Sequence, residues 1–176
     1  TMTRSKVAIL KTSPGTVFRD YHELMNLAGY QDVLAKDADT ALKVNISLHF
    51  FFPASSTTPW QLDGVIRAMK ADGYAPSLIH ACHNRTVVID AHLGERENKQ
   101  IDVVQAHGLR NVHLYEGEEW INVRDAVGDL TKKFLCLNEV FPKGFSIPKR
   151  FIGENIIHLP TVKTHIFTTT TGAMKN

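Results

Sequence analysis

Short apolar runs recur along this chain, and between them lie stretches whose apolar residues return every three or four positions. Lys6–Lys11, Thr40–Leu48, Ser77–Ala81, Asn111–Tyr115 and Ile156–Leu159 read as strands. Tyr21, Leu24, Met25 and Leu27 make a helical stripe that ends near Gly29. Pro59–Ala71 reads as a helix with Thr58 as N-cap, Pro59 at the first helical position and Gly73 as its stop; Trp60, Leu62, Val65, Ile66 and Met69 form its apolar set. Glu95–His107 reads as a third helix, with Ile101, Val103 and Val104 facing the core and Gly108 ending it. Strands and helices alternating at roughly 30-residue spacing signal βαβ units. The expected fold is therefore α/β, a three-layer Rossmann-like sandwich with a mostly parallel sheet, as one domain over residues 1–176. Val87–Ile89 reads as a short excursion and Trp120–Val123 as a further extended piece. Residues 124–151, which hold Pro142, Gly144 and Pro148, are assigned no element.

Right-handed crossovers put the carboxyl ends of parallel strands on one edge of such a sheet. Three polar segments should gather there: Asn45–Thr58, His80–Arg85 and Thr161–Asn176. The last is the most telling. After the Ile156–Leu159 run stops at Pro160, two lysines, one histidine, six threonines and a terminal asparagine crowd into 16 positions. Open α/β sheets bind ligands where strand carboxyl ends and helix amino ends meet. The chain stops directly after this loop with no helix behind it, which reads as a piece of a longer protein.

Composition narrows the function classes. The formal net charge is +2 and no stretch clusters five or six basic residues, so nucleic acid is not the expected partner. No window approaches 18 apolar residues and the amino terminus lacks a signal-peptide h-region, so the expectation is neither secretion nor a membrane span. Cys82 and Cys136 stand 54 positions apart, which is neither a disulfide framework nor a CxxC pair and points to a reducing, cytoplasmic compartment.

Five segments carry candidate chemistry. Lys43 and Asn45 lie on one face of the second strand, where Lys43 would neutralise an anion and Asn45 would supply an amide; an edge lysine and a turn-capping asparagine is the other reading. Ser55-Ser56-Thr57-Thr58 opens a helix, so the Thr57 and Thr58 hydroxyls and nearby N–H groups suit a phosphate or carboxylate, although a helix cap alone explains Thr58. His80-Ala81-Cys82-His83 holds three metal-ligand types in four positions, but strand alternation would send His80 and Cys82 one way and His83 the other, so no metal ligand is assigned. Lys163 and His165 project to the same side of an extended segment, a cation beside a group that titrates near neutrality, which suits proton transfer next to an anion; a solvated surface loop with unpaired charges is the other reading. Thr171, Gly172, Lys175 and Asn176 offer a hydroxyl, a flexible glycine, a lysine and an amide where a helix would begin. A threonine-rich capping loop would look similar, and the segment is not a Walker A sequence, which needs a second glycine and a Gly-Lys-[Ser/Thr] ending.

These segments, in this order, resemble the DUF362 family. The resemblance rests on Lys43-Val44-Asn45, on Thr57-Thr58-Pro59, and most heavily on Leu159-Pro160-Thr161-Val162-Lys163-Thr164-His165 followed by Thr171-Gly172-Ala173-Met174-Lys175-Asn176. It spans nearly the whole chain. The family is uncharacterised, and its domain sometimes accompanies iron–sulfur modules; in it the final Lys-Asn is usually followed by more sequence. The resemblance implies a site and no established reaction. Two distant cysteines cannot hold a four-cysteine cluster, so no iron–sulfur cluster is expected within this chain and the cofactor stays open.

Two functions remain in view. One is an enzyme acting on a small anionic substrate, with Lys163 and Lys175 holding charge, His165 moving a proton, and Asn45 with Thr171 orienting the ligand. An isomerase, lyase or transferase reaction fits better than hydride transfer or serine hydrolysis, because neither G-x-G-x-x-G nor G-x-S-x-G is present. The other is a non-catalytic ligand-binding or accessory module working with an iron–sulfur domain or partner. Phe50-Phe51-Phe52 would pair with another chain if exposed, making an oligomer, or fill this domain's own core.

Overall fold

The computed structural model describes residues 5–128 and 134–176. Its centre is a sheet of four parallel strands: β1 (Thr40–Val44), β2 (Ile79–His83), β3 (Arg110–His113) and β6 (Asn155–Leu159), in the order β3-β2-β1-β6. Two small antiparallel pairs flank it. β4 (Trp120–Asn122) pairs with β5 (Ser146–Pro148), and β7 (Lys163–His165) pairs with β8 (Thr169–Thr171). The expected α/β fold with a parallel sheet is the fold observed.

Helices α1 (Val17–Ala28), α2 (Pro59–Ala71) and α4 (Gln100–Ala106) stand on one face of the sheet. Alternation along each strand delivers Leu42, Val44, Ile79, Ala81 and Leu159 to that face, where they meet Leu62, Val65, Ile66, Met69 and Val104. α2 begins and ends where local chemistry requires. Thr58 is extended and accepts from the Gln61 N–H, Pro59 takes the first turn, and the helix stops before Gly73, whose φ is +86°. Gly64 lets α1 approach closely, since a Cβ there would lie 2.7 Å from the Tyr21 ring. Trp60, assigned to the buried stripe, is instead 46% exposed. The opposite face is covered more thinly, with Ala41, Cys82 and Leu114 packed against Val112 and Phe151.

Three expectations need correction. Lys6–Lys11 is not a strand; Val7 and Ile9 are 82% and 90% exposed, and the place beside β1 that an amino-terminal strand would take belongs to β6. The helix expected over Glu95–His107 is two, α3 (Ala91–Glu97) and α4, because Asn98 turns its amide onto Leu48 O and Gly94 O and Lys99 adopts φ +60°. β1 ends at Val44 and does not reach Leu48, because the Asn45 N–H leaves the ladder for Thr57 Oγ1 at 2.8 Å. Segment 124–151 contains α5 (Val123–Val127, beginning just before it), α6 (Leu137–Val140) and β5. Phe50, Phe51 and Phe52 are exposed, so they do not fill this domain's core. Among the described residues no helix is long and apolar enough to cross a membrane.

Candidate functional site

The order β3-β2-β1-β6 contains one reversal. From β1 the chain moves outward through β2 to β3, then returns to the other side of β1 as β6. The crevice outside the carboxyl ends of β1 and β6 is therefore the topological switch point, where open α/β sheets leave room for a ligand. Thr57 ties this point together. Its hydroxyl donates to Leu159 O at the end of β6 and accepts from Asn45 N at the end of β1, and its own N–H reaches Asn45 O at 2.9 Å. Gln100 adds a bond from Nε2 to Thr57 O at 2.9 Å.

Beyond the clasp, Lys163 crosses from β7 to the end of β1. Its Nζ lies 2.9 Å from Asn45 Oδ1 and 2.5 Å from Ser55 O. Lys43 is 7% exposed, and its Nζ reaches Val44 O at 3.2 Å and Asn176 Oδ1 at 3.4 Å, while Asn176 Nδ2 donates back to Lys43 O at 2.9 Å. The turn that places Lys175 and Asn176 is closed by both their N–H groups on Gly172 O. Lys43, Asn45, Thr171, Lys175 and Asn176 line a cleft of about 320 Å³, walled on its apolar side by Ile46, Leu114, Trp120, Pro148 and Phe151. Asn84 and Thr86, from the segment after β2, complete it.

The electrostatics are lopsided. No salt bridge among the described residues involves Lys43, Lys163 or Lys175. Burial holds the Lys43 and Lys163 ammoniums below the ordinary lysine range, and Lys175 pushes both in the same direction. Thr171 is 3% exposed and its hydroxyl has no partner among the described residues. Cys82, beneath Lys43, is fully buried; burial pushes its thiol up to about 12, so it is a core residue and not a nucleophile.

The three polar segments expected on one edge do meet there. Lys43, Asn45, Lys163, Thr171, Lys175 and Asn176 converge, and Gly172 shapes the last turn. Thr57 is spent on the clasp and Thr58 on capping α2, so neither hydroxyl lines the cleft. His165 shares a face of β7 with Lys163 but is not in the cleft lining; its Nδ1 accepts from the N–H groups of Phe167 and Thr168 at 3.1 and 3.3 Å. His80, Cys82 and His83 divide between the two faces of β2, as alternation requires.

Two groups of side chains escaped the sequence reading. His158 sits beside Lys43 in the β1–β6 register, and burial followed by the Lys43 charge holds its imidazole below the ordinary value. The second group gathers around Glu95 of α3, whose Oε2 lies 2.8 Å from His83 Nε2, 3.1 Å from His113 Nε2 and 2.6 Å from Asn111 Nδ2. Burial raises this carboxyl, but those hydrogen bonds outweigh it and hold Glu95 down to about 2. His83 and His113 are register partners at the ends of β2 and β3. A reader who had paired those two strands in parallel would have found them.

A family model described as "Domain of unknown function (DUF362)" matches residues 40–176. The chain belongs to the DUF362 family. The matched DUF362 region starts at Thr40, the first residue of β1, and takes in every strand of the sheet and the whole cleft. Comparison with curated proteins and with solved structures returns no match.

Proposed function

We propose that this DUF362 domain binds a small organic anion, a carboxylate or phosphate with an apolar portion, in the cleft at the β1–β6 switch point. The observation that carries this reading is that Lys43 and Lys175 line the cleft, with Lys163 held on the lining residue Asn45, and that no salt bridge among the described residues neutralises any of the three. Crowding cations at a partly buried site is unfavourable unless an anion shares it. The unpartnered Thr171 hydroxyl and the Asn176 amide supply directed hydrogen bonds, and the Trp120–Phe151 wall takes the apolar part.

Acid–base chemistry of the isomerase, lyase or transferase type is the proposed use of that anion; Lys163, held on Asn45 at the rim, would polarise it, and His165, on the same face of β7 but outside the cleft lining, would serve as proton carrier to a ligand that extends beyond the cleft. With Nδ1 engaged by two backbone donors, the His165 ring carries its proton on Nε2, which suits donation to an anionic oxygen. Isothermal titration calorimetry with inorganic phosphate and with phenylpyruvate as probes tests the binding step. The expected result is a measurable affinity for at least one of them in the wild type, weakened about tenfold or more in Lys163→Met and in Lys175→Met. Wild-type protein that ignores both probes, or variants that bind as well as the wild type, would refute the proposal.

A further inference from the structure

We infer that His83, Glu95 and His113 form a binding site for a divalent first-row transition ion, Zn²⁺ or Fe²⁺. The site is separate from the cationic cleft and does not depend on it. Three elements that the fold brings together supply it: the end of β2, the end of β3 and the middle of α3. The three ligand atoms lie within 4.8 Å of one another, with His83 Nε2 and His113 Nε2 at 2.8 and 3.1 Å from the same Glu95 oxygen. An ion holding ligands at about 2.1 Å sets neighbouring ligand atoms about 3.0 Å apart in octahedral geometry and about 3.4 Å in tetrahedral geometry. The chain already holds both imidazole nitrogens near that spacing from Glu95 Oε2, with all three atoms within 4.8 Å.

The hydrogen bonds around the triad point the same way. His113 Nδ1 lies 3.1 Å from Glu116 Oε2, a carboxylate placed to take the Nδ1–H when Nε2, which meets Glu95 Oε2 at 3.1 Å, is given to an ion. Asn111 Nδ2, which donates to Glu95 Oε2 at 2.6 Å, also stands 3.2 Å from His113 Nε2 and so braces both ligand atoms. A carboxylate behind one imidazole nitrogen with the other nitrogen aimed at a ligand cluster is the arrangement by which proteins orient metal-binding histidines.

Burial grades across the triad, from His83 and Glu95 at 1% and 10% side-chain exposure to His113 at 18%, so an ion has a path from the His113 side. His83 Nδ1 is buried without a partner among the described residues, so the polar contacts of this ring among them are at Nε2. Two imidazoles and one carboxylate leave coordination positions open for water or a substrate oxygen. The chain neighbours of the two histidines, Asn84 and Leu114, line the cationic cleft, so the ion would stand at the same edge of the sheet.

The test uses the full chain after chelator treatment, titrated with Co²⁺ and followed by visible d–d absorption and by metal content, with Zn²⁺ as competitor. Expected is uptake of one Co²⁺ per chain that Zn²⁺ displaces. Glu95→Gln and His113→Phe should each weaken uptake by more than about 100-fold, Glu116→Gln by about 10- to 100-fold, and His92→Ala should leave it unchanged. The wild-type titration stands whether or not a buried variant folds. Wild-type protein that takes up no Co²⁺ overturns the inference. Uptake that survives Glu95→Gln and is lost in His92→Ala also overturns it, since that places the ion on the exposed His92–His113–Glu116 group.

Discussion

Lys43 should be a residue the fold would be more stable without. Its ammonium is 7% exposed, its partners are two neutral oxygens at 3.2 and 3.4 Å, and a second lysine acts on it repulsively. Methionine keeps the unbranched stem and removes the charge. Lys43→Met gives up two long hydrogen bonds, each worth about 1 kcal/mol net. It also removes the burial of an ammonium that has no salt-bridge partner among the described residues, a penalty of several kcal/mol. The difference favours the variant by about 1–4 kcal/mol, a rise in Tm of roughly 2–10 °C for a chain of this size. The pH dependence has a definite sign. The folded state releases the Lys43 proton at lower pH than the unfolded chain does, because burial lowers its value. The penalty is therefore complete below the folded pKa and fades as pH rises toward the unfolded value near 10.5. Urea denaturation of both proteins from pH 7 to 10.5 should show the advantage of Lys43→Met shrinking with pH, while its affinity for the anionic probe drops. A variant that is less stable than the wild type at pH 7, or one whose advantage grows with pH, would show that Lys43 is not an uncompensated buried cation.

Two further outcomes follow from the same geometry. Thr57→Val removes the hydroxyl that joins Asn45 N to Leu159 O and should cost about 2–4 kcal/mol by leaving two backbone groups unpaired, with Thr57→Ser recovering most of it in a urea titration. His80 is fully buried, and burial, then Arg150 and Arg110, hold its imidazole down to about 4 against an ordinary 6.5, so it stays neutral in the fold while the unfolded chain takes a proton. Wild-type stability should fall by about 3 kcal/mol more than that of His80→Leu as pH drops from 7 to 4; Glu154, 3.5 Å away and raised by burial, acts with the opposite sign in both proteins, and equal pH profiles for the two would refute the assignment.

What the sequence disclosed and what it hid divide by the range of the interaction. The bounds of α2 are legible because Thr58, Pro59 and Gly73 act within a few residues of themselves. The break between α3 and α4 is not, since it depends on Asn98 reaching Leu48, 50 positions away. Lys6–Lys11 has the look of a strand, but strandedness is decided by who pairs, and β6 comes from the far end of the chain to take the place beside β1. The convergence of Lys43, Asn45, Lys163 and Lys175 could be anticipated because parallel strands must end on one edge, whatever their order. The Glu95 cluster could not, because it requires knowing that β2 and β3 are neighbours and in what register.

Strand alternation also explains how two dissimilar polar sites fit on one small sheet. Cys82 and His83 are adjacent in β2 but face opposite ways: Cys82 lies under the Lys43 ammonium, and His83 turns toward α3 and Glu95. The cationic cleft draws on the face covered by Phe151 and Trp120, and the imidazole–carboxylate cluster on the face covered by helices. Separation by the sheet keeps Glu95 away from the lysines. It equally keeps the lysines from competing for the carboxylate that an ion would need.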